Sequence, residues 1–268
     1  MPELPEVETI RRQLEPLYQG DVITKVNART PYLLKNCSPQ TFSSAISGKK
    51  IDRFSRKGKF LVFECQGVFP VFHLGMSGIF LKDKAESKYP QHIHVELYFD
   101  SGKQLFFQDM RKFGKVWLYN NYPEFPTLGL DPTITEMTIE WLQAMLTNRK
   151  MNMKAFLMDQ SIIAGIGNIY ASEILFQSAI SPLRKANKLS THETKSLHGA
   201  IHNVLTSAIE KFGTTYSAYR TINGLSGENQ NFLAVYQRDG ESCVTCDGLI
   251  KKIVLGSRST FFCENCQK

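Results

Sequence analysis

The hydrophobic period of this 268-residue chain changes near residue 125, and that change limits its possible folds more than any other feature. Between residues 50 and 120 the pattern is that of strands, expected over Lys50–Phe54, Phe60–Cys65, Val68–Leu74, His92–Phe99, Lys103–Phe107 and Val116–Tyr119. Ile93, Val95, Leu97 and Phe99 alternate with His92, His94, Glu96 and Tyr98, as in a strand with one solvated face, and Asp100-Ser101-Gly102 signals a hairpin. A run bearing Pro123, Pro126 and Pro132 interrupts the pattern and marks a domain boundary. Beyond it the period becomes 3.6. Thr138–Leu146 and the segment from Met153 read as helices, and Ser190-Thr191-His192-Glu193 forms a capping box. The helix it opens carries Leu197, Ile201, Leu205 and Ile209 on one face and stops at Gly213. Such a chain is an α+β multidomain protein, with two packed antiparallel sheets followed by a helical domain.

The strands are preceded by a helix, a strand over Asp21–Ala28 and a short helical segment around Pro39–Ile46. In the first helix Val7, Ile10, Leu14 and Leu17 form the apolar stripe that packs on the sheets, and Glu8 pairs with Arg12 one turn on. Its opening, Pro2-Glu3-Leu4-Pro5-Glu6, has two readings. In one it is only a helix start, with proline and carboxylates in the first turn. In the other, loss of Met1 leaves Pro2 as a secondary amine, which condenses with a carbonyl to an iminium, a strong electron sink. The positive end of the helix disfavours the ammonium form, and Glu3 and Glu6 supply carboxylates for proton transfer.

A net charge of +7 and a pI near 9.0 make a polyanion a plausible partner. No apolar run reaches the length of a membrane span and the acidic N-terminus is not a signal peptide, so the chain is expected in the cytoplasm. Cys37 and Cys65 stand alone and read as buried thiols. Cys243-Val244-Thr245-Cys246 and Cys263-Glu264-Asn265-Cys266 enclose sixteen residues, the spacing of a structural four-cysteine zinc site; two disulfides are the alternative, disfavoured in a reducing compartment. Between them, Ile250–Leu255 and Arg258–Phe262 form a hairpin turned by Gly256-Ser257, with Arg258 at its tip.

Several loops have the chemistry to contact a ligand. Ala164-Gly165-Ile166-Gly167-Asn168 lets backbone approach closely, with Asn168 able to cap a helix whose N-terminus favours phosphate; a tight interhelical turn would look alike. Arg56-Lys57-Gly58-Lys59 is a basic turn that touches phosphate or simply ends a solvated hairpin. Met76, Arg111 and Phe113 lie in loops after strands, as core residues or as wedges for a base stack. His92, His94 and Glu96 share a strand face, which is more simply solvated than metal-binding.

With these residues in place the chain resembles the bacterial formamidopyrimidine-DNA glycosylases over essentially its whole length. The shared motifs are Pro2–Thr9, the Gly58-Lys59 turn, the loops His73–Gly78 and Asp109–Gly114, Asp159–Tyr170 and the terminal zinc hairpin. The resemblance implies an N-terminal β-sandwich with an N-terminal helix, then a helix-two-turn-helix domain ending in a zinc ribbon. It implies a catalytic domain over 1–121, a linker over 122–133, a helical domain over 134–235 and a zinc finger over 236–268. The implied activity is excision of oxidised purines such as 8-oxoguanine from double-stranded DNA, followed by strand cleavage at the abasic sugar, by a monomer holding one structural Zn²⁺. On this likeness Pro2, Glu3, Glu6, Lys59 and Arg258 are the catalytic set. Lys59, His73, Asn168, Tyr236 and Arg258 match positions that hold phosphates, and Met76, Arg111 and Phe113 match those that fill the gap left by the flipped base, with Arg111 facing the orphaned cytosine. Cys243, Cys246, Cys263 and Cys266 match the zinc ligands.

Endonuclease VIII-type glycosylases, which remove oxidised pyrimidines, resemble the chain less, since they typically carry glycine where Leu4 stands and lack the Met/Arg/Phe set. A non-enzymatic DNA-binding zinc protein leaves Pro2 and Glu3 unexplained. Asp247 and Gln237 stand where the family usually has glycine, and each is expected to alter a local turn. Thr214–Gln230 corresponds to a variable loop over the flipped base; its glycines and polar residues imply mobility.

Overall fold

The computed structural model describes residues 1–216 and 219–268, which divide into two compact units. The first comprises residues 1–125 and 211–230, the second 126–210 and 231–268. In the first, helix α1 (Leu4–Tyr18) precedes two four-stranded antiparallel sheets. One has the order β1 (Ile23–Ala28), β6 (Ile93–Phe99), β7 (Gln104–Asp109), β5 (Gly78–Leu81). The other runs β2 (Arg53–Lys57), β3 (Phe60–Glu64), β4 (Phe69–His73), β8 (Lys115–Tyr119). The sheets meet through aromatic rings, Phe63 against Phe80 at 5.8 Å and Phe72 against Phe107 at 5.4 Å. Val7, Ile10 and Leu14 of α1 join this core fully buried, each contributing about 1.5–3 kcal/mol by leaving water. Helix α2 (Pro39–Ile46) buries Phe42 and Ile46 in the same core.

Three expectations need correction. The strand expected over Lys50–Phe54 is Arg53–Lys57, because Lys50 and Ile51 bond instead to the chain at 20–22. The four-residue β5 was not anticipated: it follows directly on a glycine-bearing loop and has too few residues for a period. The polar face of β6 is not solvated. His94 and Glu96 are buried there, where Asn27 of β1, Arg29, Thr30 and Tyr32 of the segment after it, and Lys84, meet them. Glu96 meets Arg29 at 2.8 Å and accepts from Asn27 and Tyr98, so its charge is matched by protein groups rather than by metal.

In the second unit, α3 (Ile139–Thr147) is capped by Thr138, and α4 (Met153–Met158) is joined to α5 (Asn168–Gln177) by the glycine-bearing loop. Helix α6 (Thr191–Glu210) opens on the Ser190/Glu193 box, with Leu197, Ile201, Leu205 and Ile209 buried. The chain ends in the hairpin β9 (Ile250–Leu255) and β10 (Arg258–Cys263), with Leu255 opposite Arg258. Its turn residues Gly256 and Ser257 have φ of 53° and 63°, the left-handed pair that matches the twist of a two-residue hairpin. Among the described residues no helix is long and apolar enough to cross a membrane.

Candidate active site and nucleic-acid interface

At the head of α1, Pro2, Glu3 and Glu6 are all buried. Acidic first-turn residues normally face solvent, so their burial needs partners. One oxygen of Glu6 accepts the Glu3 N–H at 2.7 Å, closing the helix start; the other accepts the Thr214 N–H at 2.8 Å. Gly213, at φ 75°, makes that approach possible, since a Cβ there would lie 2.8 Å from Glu6 Oε1. The loop after α6 is thereby fastened to the first turn of α1. Further ties follow: Ile222 N–H donates to Gln13, Gly227 N–H to Thr215 Oγ1, and Asn229 to Thr214 Oγ1. Much of the loop expected to be mobile is therefore anchored; Ser217 and Ala218 of that segment lie outside the described residues.

The basic turn is not a solvated hairpin end. Lys59 and Arg56 are buried, and Arg56 bonds Glu8 at 3.1 Å and the Gly58 carbonyl at 2.8 Å, tying the turn to α1. Burial opposes ionisation of Glu8, but hydrogen bonds from Arg11 and the charge of Arg56 hold its carboxyl down at about 2. His73, half-buried at the end of β4, accepts the Gly75 N–H on Nδ1 at 3.2 Å. Its proton therefore sits on Nε2. Burial and the charges of Lys59 and Lys115 push its pKa down to about 4, so at neutral pH it is an uncharged donor.

Met76, Arg111 and Phe113 are exposed rather than core residues. Their loops touch: a Cβ on Gly75 would lie 2.4 Å from the Phe113 carbonyl carbon, and the Arg111 guanidinium stacks 5.1 Å from the Phe113 ring. An exposed ring and thioether with a guanidinium stacked on the ring have the chemistry that a wedge between bases requires. Sequence reasoning missed Asp109, the fully buried residue on which this tip is built. Its only signal was a carboxylate at a strand end followed by two loop amides able to reach it.

In the second unit, Asn168, Tyr236 and Arg258 line one open pocket together with Lys252 and Ser259. Asn168 does not cap α5. Gly167 occupies the cap position, and Asn168, already helical, donates its side-chain amide to the Ser259 carbonyl at 2.9 Å. It pins α5 to β10 instead. Glu173, also missed, accepts the N–H groups of Ala234, Val235 and Tyr236 at 2.8–3.0 Å and so sets Tyr236 against α5. Burial raises its pKa despite those three donors. Gln237 keeps the left-handed turn usual for glycine, at φ 59°, whereas Asp247 has no such conformation to adopt.

The Sγ atoms of Cys243, Cys246, Cys263 and Cys266 all lie within 4.8 Å of one another, with pairs at 3.6 and 3.9 Å. Tetrahedral Zn–S bonds of about 2.3 Å place sulfurs about 3.8 Å apart, whereas a disulfide needs about 2.05 Å. All four thiols are free, and the set fits one structural Zn²⁺ with no position left for catalysis.

Three family models match the chain in order: the formamidopyrimidine-DNA glycosylase N-terminal domain over residues 1–116, its H2TH domain over 128–219, and a zinc finger found in FPG and IleRS over 240–268. A formamidopyrimidine-DNA glycosylase of Pediococcus pentosaceus is 41% identical, covering 100% of this chain and 99% of that protein. The crystal structure of the MutM (Fpg) protein of Thermus thermophilus superposes with a TM-score of 0.89 at 37% identity, over 99% of this chain and 98% of that one. A Lactococcus lactis FPG variant in complex with Fapy-dG-containing DNA superposes with a TM-score of 0.91 at 33% identity, over 100% of both chains.

Proposed function

Because the chain belongs to the formamidopyrimidine-DNA glycosylase family, we propose that Pro2, freed by loss of Met1, is the nucleophile of a DNA glycosylase and abasic-site lyase for oxidised purines. The activity places it in base-excision repair, acting on double-stranded DNA in the bacterial cytoplasm. The damaged nucleotide is first flipped from the stack, at a cost of about a few kcal/mol. The Pro2 nitrogen attacks C1′ as the bond from C1′ to the base breaks, and the departing base takes a proton delivered by Glu3. The ring-opened sugar is then joined to Pro2 as an iminium. With the iminium as electron sink, β-elimination and then δ-elimination release the two flanking phosphates, with Glu3 again serving as acid and base. Glu6 positions the nucleotide. The observation that carries this reading is the burial of Pro2, Glu3 and Glu6 together, on a helix start bonded to the Thr214 loop.

Lys59, His73, Asn168, Tyr236 and Arg258 hold backbone phosphates, while Met76 and Phe113 fill the vacated space and Arg111 bonds the orphaned base. His73 suits that role as a neutral Nε2–H donor. The Zn²⁺ holds the hairpin that presents Arg258 and takes no part in the chemistry. Residues 1–121 form the catalytic domain, 122–133 the linker, 134–235 the helical domain, whose loop over 211–230 belongs to the first compact unit, and 236–268 the zinc finger.

Borohydride added during turnover on 8-oxoguanine DNA should join protein to DNA through the peptide beginning at Pro2. One retained residue before Pro2 makes its nitrogen an amide and should abolish trapping. An adduct on Lys57 or Lys59, or trapping by the extended chain, would overturn the mechanism. Excision of 8-oxoguanine opposite cytosine compared with thymine glycol separates this substrate class from an endonuclease VIII-like one.

A further inference from the structure

The wedge tip rests on a hydrogen-bonded bridge to which the roles above assign nothing. Asp109, at the end of β7, engages both loops with one carboxylate. Its Oδ1 accepts from Ser77 Oγ at 2.5 Å and from the Arg111 N–H at 3.3 Å, and its Oδ2 accepts from the Gly114 N–H at 2.6 Å. Ser77 Oγ in turn accepts the Arg111 N–H at 2.9 Å. The segment from Arg111 to Gly114 is thus held at both ends, with Lys112 between them in the left-handed region at φ 59°. Below, His94 holds the Asp109 carbonyl. A carbonyl only accepts, so Nε2 carries the proton at 2.9 Å, and Nδ1 accepts from Thr30 Oγ1 at 2.7 Å.

From this bridge we infer that Ser77, through Asp109, is a positioning residue that sets the opposite-base specificity of the enzyme. Ser77 is buried and spends its hydroxyl on Asp109 and the Arg111 backbone, so it acts on the base only through Arg111. Discrimination is a difference between the right and the wrong partner, and a fixed backbone penalises the wrong one because the guanidinium is not free to follow it. Loosening the Arg111 amide lets the side chain shift toward a second hydrogen-bonding pattern. The gain then goes to the mismatched partner. The inference rests on the proposed placing of Arg111 opposite the orphaned base.

The test is the ratio of single-turnover excision of 8-oxoguanine opposite cytosine to that opposite adenine, in wild type, R111A, S77A, S77C and S77A/R111A. Thermal unfolding checks that each variant folds. R111A should lower the ratio about tenfold or more, the range for losing a specific base contact. S77A should lower it about threefold to tenfold, chiefly by faster excision opposite adenine, and the double variant should match R111A, as two residues acting through one contact require. S77C keeps the volume with a weak donor and acceptor, so it should fall between wild type and S77A, and it decides the matter should S77A not fold. A wild-type ratio in S77A and S77C while R111A loses it, or additive losses in the double variant, would overturn the role of Ser77. A wild-type ratio in R111A would instead overturn the placing of Arg111, and this inference with it.

Discussion

Replacing Gly213 by alanine probes the joint between the start of α1 and the loop behind it. The new Cβ would stand 2.8 Å from Glu6 Oε1 and 2.9 Å from Glu6 Cγ, and the backbone there has φ 75°. Left-handed backbone costs an L-residue about 1–2 kcal/mol, offset by about 0.4–1 kcal/mol because alanine restricts the unfolded chain. Glu6 is 1% exposed and cannot retreat into solvent, so it yields by breaking a bond to Thr214 N–H or Glu3 N–H. Losing one such charge-assisted bond costs about 1.5–3 kcal/mol, which brings the total to about 2–4 kcal/mol. Gly20→Ala is the control: φ is 90°, but nothing lies within 4 Å of its Cβ, so only the backbone cost applies. Both glycines belong to the same compact unit, so one unfolding transition reports on both. The backbone cost is common to both variants, so Gly213→Ala should melt below Gly20→Ala by the lost bond alone, about 3–12 °C at about 2–4 °C per kcal/mol for a chain of this size. Borohydride trapping should fall about tenfold or more in Gly213→Ala alone, if Glu6 positions the nucleotide as proposed. Equal melting points for the two variants, with wild-type trapping in both, would refute the argument that Glu6 is held by this contact.

Chelating the zinc should unravel β9 and β10 and withdraw Arg258. The slope of log K against log salt should then shrink by about one unit, the same loss as Arg258→Ala and one phosphate's share, measured by anisotropy on a DNA duplex; an unchanged slope after metal removal would take the hairpin out of the interface. For His73, the folded pKa near 4 lies below the ordinary 6.5, so the unfolded chain binds the proton first as pH falls. Stability from this group is present above pH 6.5 and is lost between pH 6.5 and 4, with a slope of at most about 1.4 kcal/mol per pH unit. His73→Gln should flatten denaturation midpoints across that window, and an unaltered pH profile would mean that the imidazole titrates normally.

The sequence alone carried whatever depends on local pattern. The turn from period two to 3.6, the Ser190/Glu193 box and the apolar stripe of α1 act within a turn or two of chain, the cysteine spacing within one hairpin, and each recurs in the structure as expected. Helical and extended backbones impose their periods directly on the chain, so these signals need no knowledge of what packs where. Tertiary structure decided everything that depends on which surface is covered. Alternation along β6 could not say that residues 27–32 and Lys84 would meet His94 and Glu96, nor could a basic turn announce that Lys59 is buried. Asn168 had the chemistry of a helix cap, but the start of α5 at that very residue directs its amide to Ser259. The bond from Thr214 to Glu6 spans 208 positions, and the one from Arg111 to Ser77 spans 34. No period or motif encodes such pairs, because a buried carboxylate takes whichever donors the folded chain brings within about 3 Å, and only the packing of distant segments determines which those are.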